Sequence, residues 1–188
     1  STAMGSGSIA NGAYSTAMGD HTTAGGTGST ASGVQTNASG MFSNASGSST
    51  VASGTSSAAM GSFTLARSFA ETSLGAFNTD YTPNDTAAYN ANDRVFSVGN
   101  GLDDANRSNA ITILKNGNTG IGFETPAAKF EVNGQVRIKD GTEANGYVLT
   151  SDANGYASWQ STSSLVGPTG ATGADGAQGP QGIQGVTG

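Results

Sequence analysis

The chain has no cysteine, a single histidine and a single tryptophan among 188 residues. Without cysteine there is no disulfide framework and no thiolate metal cage. Charge is also scarce: 11% of residues are charged, against about a quarter in an ordinary soluble domain. The net charge is −6 and the basic residues are dispersed, so a basic nucleic-acid footprint is absent and no nucleic-acid partner is expected. No apolar run approaches the roughly 18 residues of a bilayer-spanning helix, so no membrane insertion is expected of this segment. No secretory leader stands at its start. The chain begins inside one repeat and ends inside another, which points to a piece of a longer protein.

Gly, Ser, Thr, Ala and Asn fill the space, with 30 glycines alone. That composition suggests disorder, but its strict periodicity argues otherwise. Residues 1–84 divide into six gapless units of 14, each made of two halves of the form S/T-x-A-x-G. Position 5 is always glycine: Gly5, Gly19, Gly33, Gly47, Gly61 and Gly75. Position 3 is alanine until Ser73, position 10 is alanine until Asp80, and position 12 is glycine until Ser68.

Small residues alternate within each half, which is the period of a β-strand. Two short strands and two tight corners per unit predict one coil of a thin β-solenoid. Its interior has room only for Ser, Thr, Ala and Gly. Glycine at the end of each half answers a need for positive φ or close backbone approach. Positions 4 and 9 should point outward. Position 4 is the more apolar, and Met4, Met18, Met60 and Leu74 are the candidate residues at a three-fold axis between copies. The alternative is scattered surface methionine.

These repeats resemble the head of YadA-like trimeric autotransporter adhesins. The resemblance implies a trimeric, left-handed parallel β-roll with 14-residue coils, displayed on a surface fibre. The repeat decays at Asp80, Thr82 and Pro83, and residues 80–93 read as the exit from the roll, with 85–93 as linker.

Residues 94–160 change pattern. Arg94–Val98, Ala110–Lys115, Lys129–Val132, Gln135–Lys139 and Tyr147–Ser151 are enriched in Val, Ile, Phe and Tyr and read as strands. Asn133-Gly134, between KFEV and QVRIK, is the strongest hairpin signal in the chain. NGNTGIGFETPAAKFEVNGQVRI and GYVLTSDANGYASWQ resemble connectors of phage-type tail fibres and surface proteins of Bacteroidetes-like bacteria. That resemblance implies a short-stranded, intertwined, trimeric β connector. A linker, 161–166, follows. Glycine then recurs every third residue from Gly167 to Gly188, the collagen pattern, in which only glycine fits at the axis of three chains. The expected fold class is all-β: a trimeric left-handed parallel β-roll, then the β connector, then a collagen-like triple helix.

No catalytic constellation is legible, and the expectation is a protein that is not an enzyme. A Ser-His-Asp triad would have to be built on His21, which sits at a repeat corner after Asp20 and reads as a solvated corner residue. Carboxylates are sparse, although a glycosidase pair assembled between subunits remains an alternative. Asn100, Asp103, Asp104 and Asn106 could hold Ca²⁺, but read better as an Asx-rich turn. No metal or cofactor is expected. Position 8, from Ser8 through Thr22, Thr36, Thr50 and Thr64, forms a threonine ladder of the kind seen on ice-binding solenoids. Its register places it inside, where its hydroxyls should satisfy backbone groups. Aromatics gather at the corners, and Tyr14, Phe42, Phe63 and Phe77, with Phe69 nearby, are candidate ligand contacts or plugs between subunits.

The expected function is a non-enzymatic homotrimeric attachment fibre. Its partners would be two further copies of itself and a glycan or protein on a host or target cell surface. It would sit outside the cell, on a bacterial surface or on a virion or injection-system tail. The alternatives are a structural spacer, a polysaccharide depolymerase and an ice-binding solenoid.

Overall fold

A computed structural model describes residues 1–164, 170–182 and 184–185. Gly167, Gly188 and part of the expected 161–166 linker lie outside the described residues. Among the described residues the chain is all-β, with one short 3₁₀ turn at Thr162–Ser164. Among the described residues no helix is long and apolar enough to cross a membrane. Two compact units divide the chain, residues 1–136 and 137–188.

The first unit is a parallel β-solenoid. Thr2–Met4, Thr16–Asp20, Thr30–Val34, Asn44–Ser48, Ala58–Ser62 and Thr72–Ala76 stack as one sheet. Ile9–Ala10, Thr23–Ala24, Asn37–Ala38, Val51–Ala52 and Leu65–Ala66 form a second, five-stranded sheet. The register is the sequence repeat itself: Ala3 pairs with Ala17, Ala17 with Ala31, Ala24 with Ala38. Alternation then sends one set of side chains inward. Eight alanines from Ala17 to Ala66 form the core, each fully buried. Ser15, Ser29, Ser43 and Ser57 of position 1 join them inside. The core is small because the coil is thin.

Glycine serves two needs here. At position 5 the backbone has positive φ, +114° at Gly33, and a Cβ there would lie 2.0 Å from the Gly47 carbonyl oxygen. At position 12 φ is ordinary, yet a Cβ on Gly26 would lie 1.9 Å from the Gly40 oxygen. Close approach alone fixes that position.

The corners contain a feature with no glycine signature. Positions 7 and 14 are left-handed, and most are not glycine: Tyr14, His21, Gln35, Phe42, Ser49, Ser56, Phe63, Ala70 and Phe77 all have φ between +44° and +58°. Such residues are disfavoured there. From the second coil onward a hydrogen bond from each to the preceding coil offsets the strain, as in His21 N–H to Ser6 O at 2.7 Å and Phe63 N–H to Ser48 O at 2.8 Å.

The roll's larger sheet does not stop at the sixth coil. Arg94–Asn100 pairs with Thr72–Ala76 in parallel, with Ser97 beside Ser73, Val98 beside Leu74 and Gly99 beside Gly75. Asn109–Leu114 and Thr119–Ile121 add antiparallel strands, and Phe130–Val132 adds a parallel one. The hairpin expected at Asn133-Gly134 is not formed, and residues 135–139 carry no strand. The parallel pairing takes its place: Asn133 N–H bonds to Ile121 O at 2.9 Å, prolonging the partnership with Thr119–Ile121. The second unit contains one antiparallel hairpin, Tyr147–Ser151 with Ala157–Ser161. The strand at 157–161 lies beyond those read from the sequence.

Candidate functional site

The exterior of the larger sheet carries the position-4 column. Met4, Met18 and Met60 are 54%, 38% and 39% exposed, and Leu74 is half-buried. These four lie in one in-register line, with Ser32 and Ser46 between them. Val98 continues the line one rung further. A signal for this rung was present, since Ser97-Val98-Gly99 repeats the Ser73-Leu74-Gly75 pattern. The offset of 24 instead of 14 hid it. Position 9 differs from expectation, because Leu65 and Thr79 are buried. Both are covered where the roll meets the following segment.

The four candidate ligand aromatics do not form one cluster. Tyr14 and Phe42 belong to the position-14 corner and are 87% and 61% exposed. The Phe42 ring lies against Gly28 of the coil before it, where a Cβ would meet the ring at 2.7 Å. Phe63 and Phe77 belong to the position-7 corner and stack on each other, centroids 4.6 Å apart and planes 10° apart. The Arg107 guanidinium lies 5.6 Å from the Phe77 centroid and donates to the carbonyls of Phe63 and Asn78. These two rings thus hold the end of the roll to the 94–136 segment. The remaining exposed aromatics of the roll are Tyr14 and Phe42.

The end of the roll is built from charged groups. Glu71 stands at position 1, where every other coil has serine, and is fully buried. Its Oε2 accepts from the Arg67 and Ser68 N–H groups at 2.8 and 2.9 Å and from the Tyr81 hydroxyl at 3.2 Å. In earlier coils the equivalent N–H pairs bond to the position-10 carbonyl of the next coil, as Asn11 and Gly12 do to Ala24. The sixth coil leaves that path, and the Glu71 carboxylate stands in for the missing carbonyl. Burial raises its pKa, opposed by those N–H donors and by Arg94. The Arg94 guanidinium lies 4.1 Å from the Tyr81 ring centroid and donates to Thr79. Burial pushes the Tyr81 hydroxyl well above its ordinary range, with the Glu71 charge adding to it. Lys115 donates to Ser68 and to the Arg94 carbonyl, and burial lowers its pKa. Outside this cluster, Arg67 grips Asp80 through two nitrogens. Arg67, Asp80, Tyr81, Thr82 and Pro83 line an open depression of about 550 Å³.

The other polar candidates are committed locally. His21 Nδ1 contacts Asp20 at 2.9 Å on an exposed corner. Asp103 Oδ1 accepts from the N–H groups of Ala105 and Asn106, an Asx turn. The threonine ladder is interior: Thr22, Thr36, Thr50 and Thr64 are fully buried. It offers no surface for ice. Of its hydroxyls Ser8 meets the backbone as expected, donating to the Gly19 carbonyl at 2.9 Å, and the threonines do not. Thr22 donates to Ser8, while the Thr36, Thr50 and Thr64 hydroxyls have no partner.

Two copies of the YadA head domain repeat match this chain, at residues 1–22 and 24–43. Those residues form the first three coils of the solenoid, which are therefore similar to a YadA head, and the later coils continue the same 14-residue register. No curated protein and no solved structure matches the chain.

Proposed function

We propose that this YadA-like head segment belongs to a non-enzymatic homotrimeric fibre that works by attachment. The observation that carries the reading is the position-4 column, an apolar line left exposed along a roll of the adhesin-head type. Met4 and Met18 at one end and Met60, Leu74 and Val98 at the other, with Ser32 and Ser46 between, form a line that equivalent lines from two further copies would cover. The glycine period of the tail supports the same stoichiometry, since a Gly-X-Y segment is stable only as three chains. The partner is a glycan or protein on a target cell surface, met outside the cell. Three identical faces convert weak single contacts into firm attachment.

Tyr14 and Phe42, the open aromatics, are the residues to which a sugar face or apolar side chain would bind. Phe63 and Phe77 leave that list, because each is the other's stacking partner.

Light scattering tests the stoichiometry. The chain is 18.4 kDa, and a particle of three times that mass supports the fibre. A monomer at all concentrations overturns it. Binding of the wild-type trimer to target cells or immobilised glycans, lost in a folded Tyr14→Ala/Phe42→Ala trimer, supports attachment through this corner. Unchanged binding of that variant moves recognition elsewhere. Failure of the trimer to bind any surface makes it a spacer.

A further inference from the structure

We infer that the 147–161 hairpin is the element that brings three chains together and sets the register of the glycine-repeat tail. This rests on the trimeric reading above and adds to it where assembly starts.

The glycines of the tail are the first observation. At positions 5 and 12 of the roll, glycine is required by the chain's own neighbours, with Cβ clashes near 2 Å. In the tail, Gly170, Gly173, Gly176, Gly179, Gly182 and Gly185 have open space around a would-be Cβ, and none has positive φ. Nothing within one chain demands them. The demand must come from other copies, and a period of three fixes their number at three.

The hairpin is the second. Leu149 lies opposite Trp159, and Tyr147 opposite Ser161. Opposed residues share a face, so Tyr147, Leu149, Trp159 and Ala157 form one side, with Ser151 and Ser161 at its two ends. Tyr147 and Leu149 are 38% and 40% exposed, and Trp159 is half-buried. The Trp159 Nε1–H donates to Ile138 O at 3.1 Å, and Ile138 is itself 40% exposed. A lone two-stranded hairpin is at best marginal in water.

The edges are the third. Neither strand, YVLTS nor ASWQS, contains a charge or a proline. Free edges are usually blunted by such residues. These are left unguarded in a sheet of only two strands.

Together these commit the apolar face to one occupant: the same face of two further copies. The first glycine of the repeat, Gly167, follows the last strand residue, Ser161, by six positions. Three hairpins packed together would therefore deliver three tails at one end, aligned, at high effective concentration.

Trp159 is the only tryptophan, so its fluorescence reads this face directly. Iodide quenching of the full chain should be weak at concentrations where light scattering gives a trimer. It should rise over the dilution range in which mass falls to the monomer. The absence of native cysteine permits a second reading. Leu149→Cys should cross-link copies on mild oxidation, and Thr150→Cys, on the opposite face, should not. Leu149→Lys should slow recovery of the triple helix after melting by about tenfold or more. A monomeric mass throughout overturns the fibre itself. An intact trimer in which Trp159 is freely quenched, or Leu149→Cys cross-links no better than Thr150→Cys, overturns the hairpin's role and leaves the fibre standing.

Discussion

The side chain of Asn78 clasps the peptide of Leu65. Its Oδ1 accepts from the Leu65 N–H at 2.8 Å, and its Nδ2 donates to the Leu65 carbonyl at 2.8 Å. In the four preceding coils the position-9 N–H instead bonds to a main-chain carbonyl at position 8 of the next coil, as Val51 does to Thr64. Asn78 and Glu71 thus finish the smaller sheet with side chains where backbone ran out. An uncapped solenoid end would leave buried donors and acceptors without partners.

Asn78→Ala should destabilise the roll by about 2–4 kcal/mol, because two buried main-chain groups lose their partners together. Denaturant unfolding checks this. A loss below 1 kcal/mol for the alanine variant, on the scale of about 1 kcal/mol for a single hydrogen bond, would show that the clasp is idle.

Glycine substitutions should separate close approach from conformation. Gly26→Ala drives a methyl to 1.9 Å from the Gly40 oxygen and should cost more than about 4 kcal/mol. Gly25→Ala, whose Cβ meets only Ser39 Cα at 3.9 Å, should stay within about 1 kcal/mol of wild type. Thermal melts of the two neighbours make the comparison.

The buried Glu71 predicts a pH signature. Its folded pKa lies above the ordinary 4.5, so its contribution is full below that value and declines as pH rises through the folded pKa. Glu71→Gln cannot titrate. The melting-temperature difference between variant and wild type should therefore move in the variant's favour as pH rises from 4.5 towards neutrality. A difference that moves the other way would mean that the Arg67 and Ser68 N–H donors outweigh burial.

The aromatics should divide by role. Phe77→Ala loses the Phe63 stack and the Arg107 contact and should cost about 1–3 kcal/mol. Tyr14→Ala, at a side chain almost fully in solvent, should cost about 0.5 kcal/mol or less. Equal losses would refute the division.

Met18→Lys combined with Met60→Lys should weaken the trimer, so that light scattering shows it dissociating at a higher protein concentration than wild type, while the strand signal in circular dichroism is unchanged. If the dissociation range does not move, the position-4 column does not face the axis.

The roll was legible because its period is enforced twice, by an alanine core and by glycines that touch across coils. Register, inward columns and the interior threonines all followed from that period. What escaped were events that depend on competition. Asn133-Gly134 has good local turn chemistry, yet Phe130–Val132 pairs with Thr119–Ile121 and Asn133 is drawn into that ladder. The seventh rung at Arg94–Asn100 was hidden because 77–93 interrupts the count. The Phe63–Phe77 stack could have been read, since 14 residues place two side chains one above the other. Glu71 carried a signal too, as the single position-1 residue that is not serine.

In this roll main chain rests on main chain at positions 5 and 12, so coil spacing owes nothing to the outward-facing side chains. Those side chains can therefore be rewritten without altering the pitch. On the attachment reading, a lineage carrying this scaffold is free to change its target while inheriting the same roll, so recognition and architecture can evolve at different speeds.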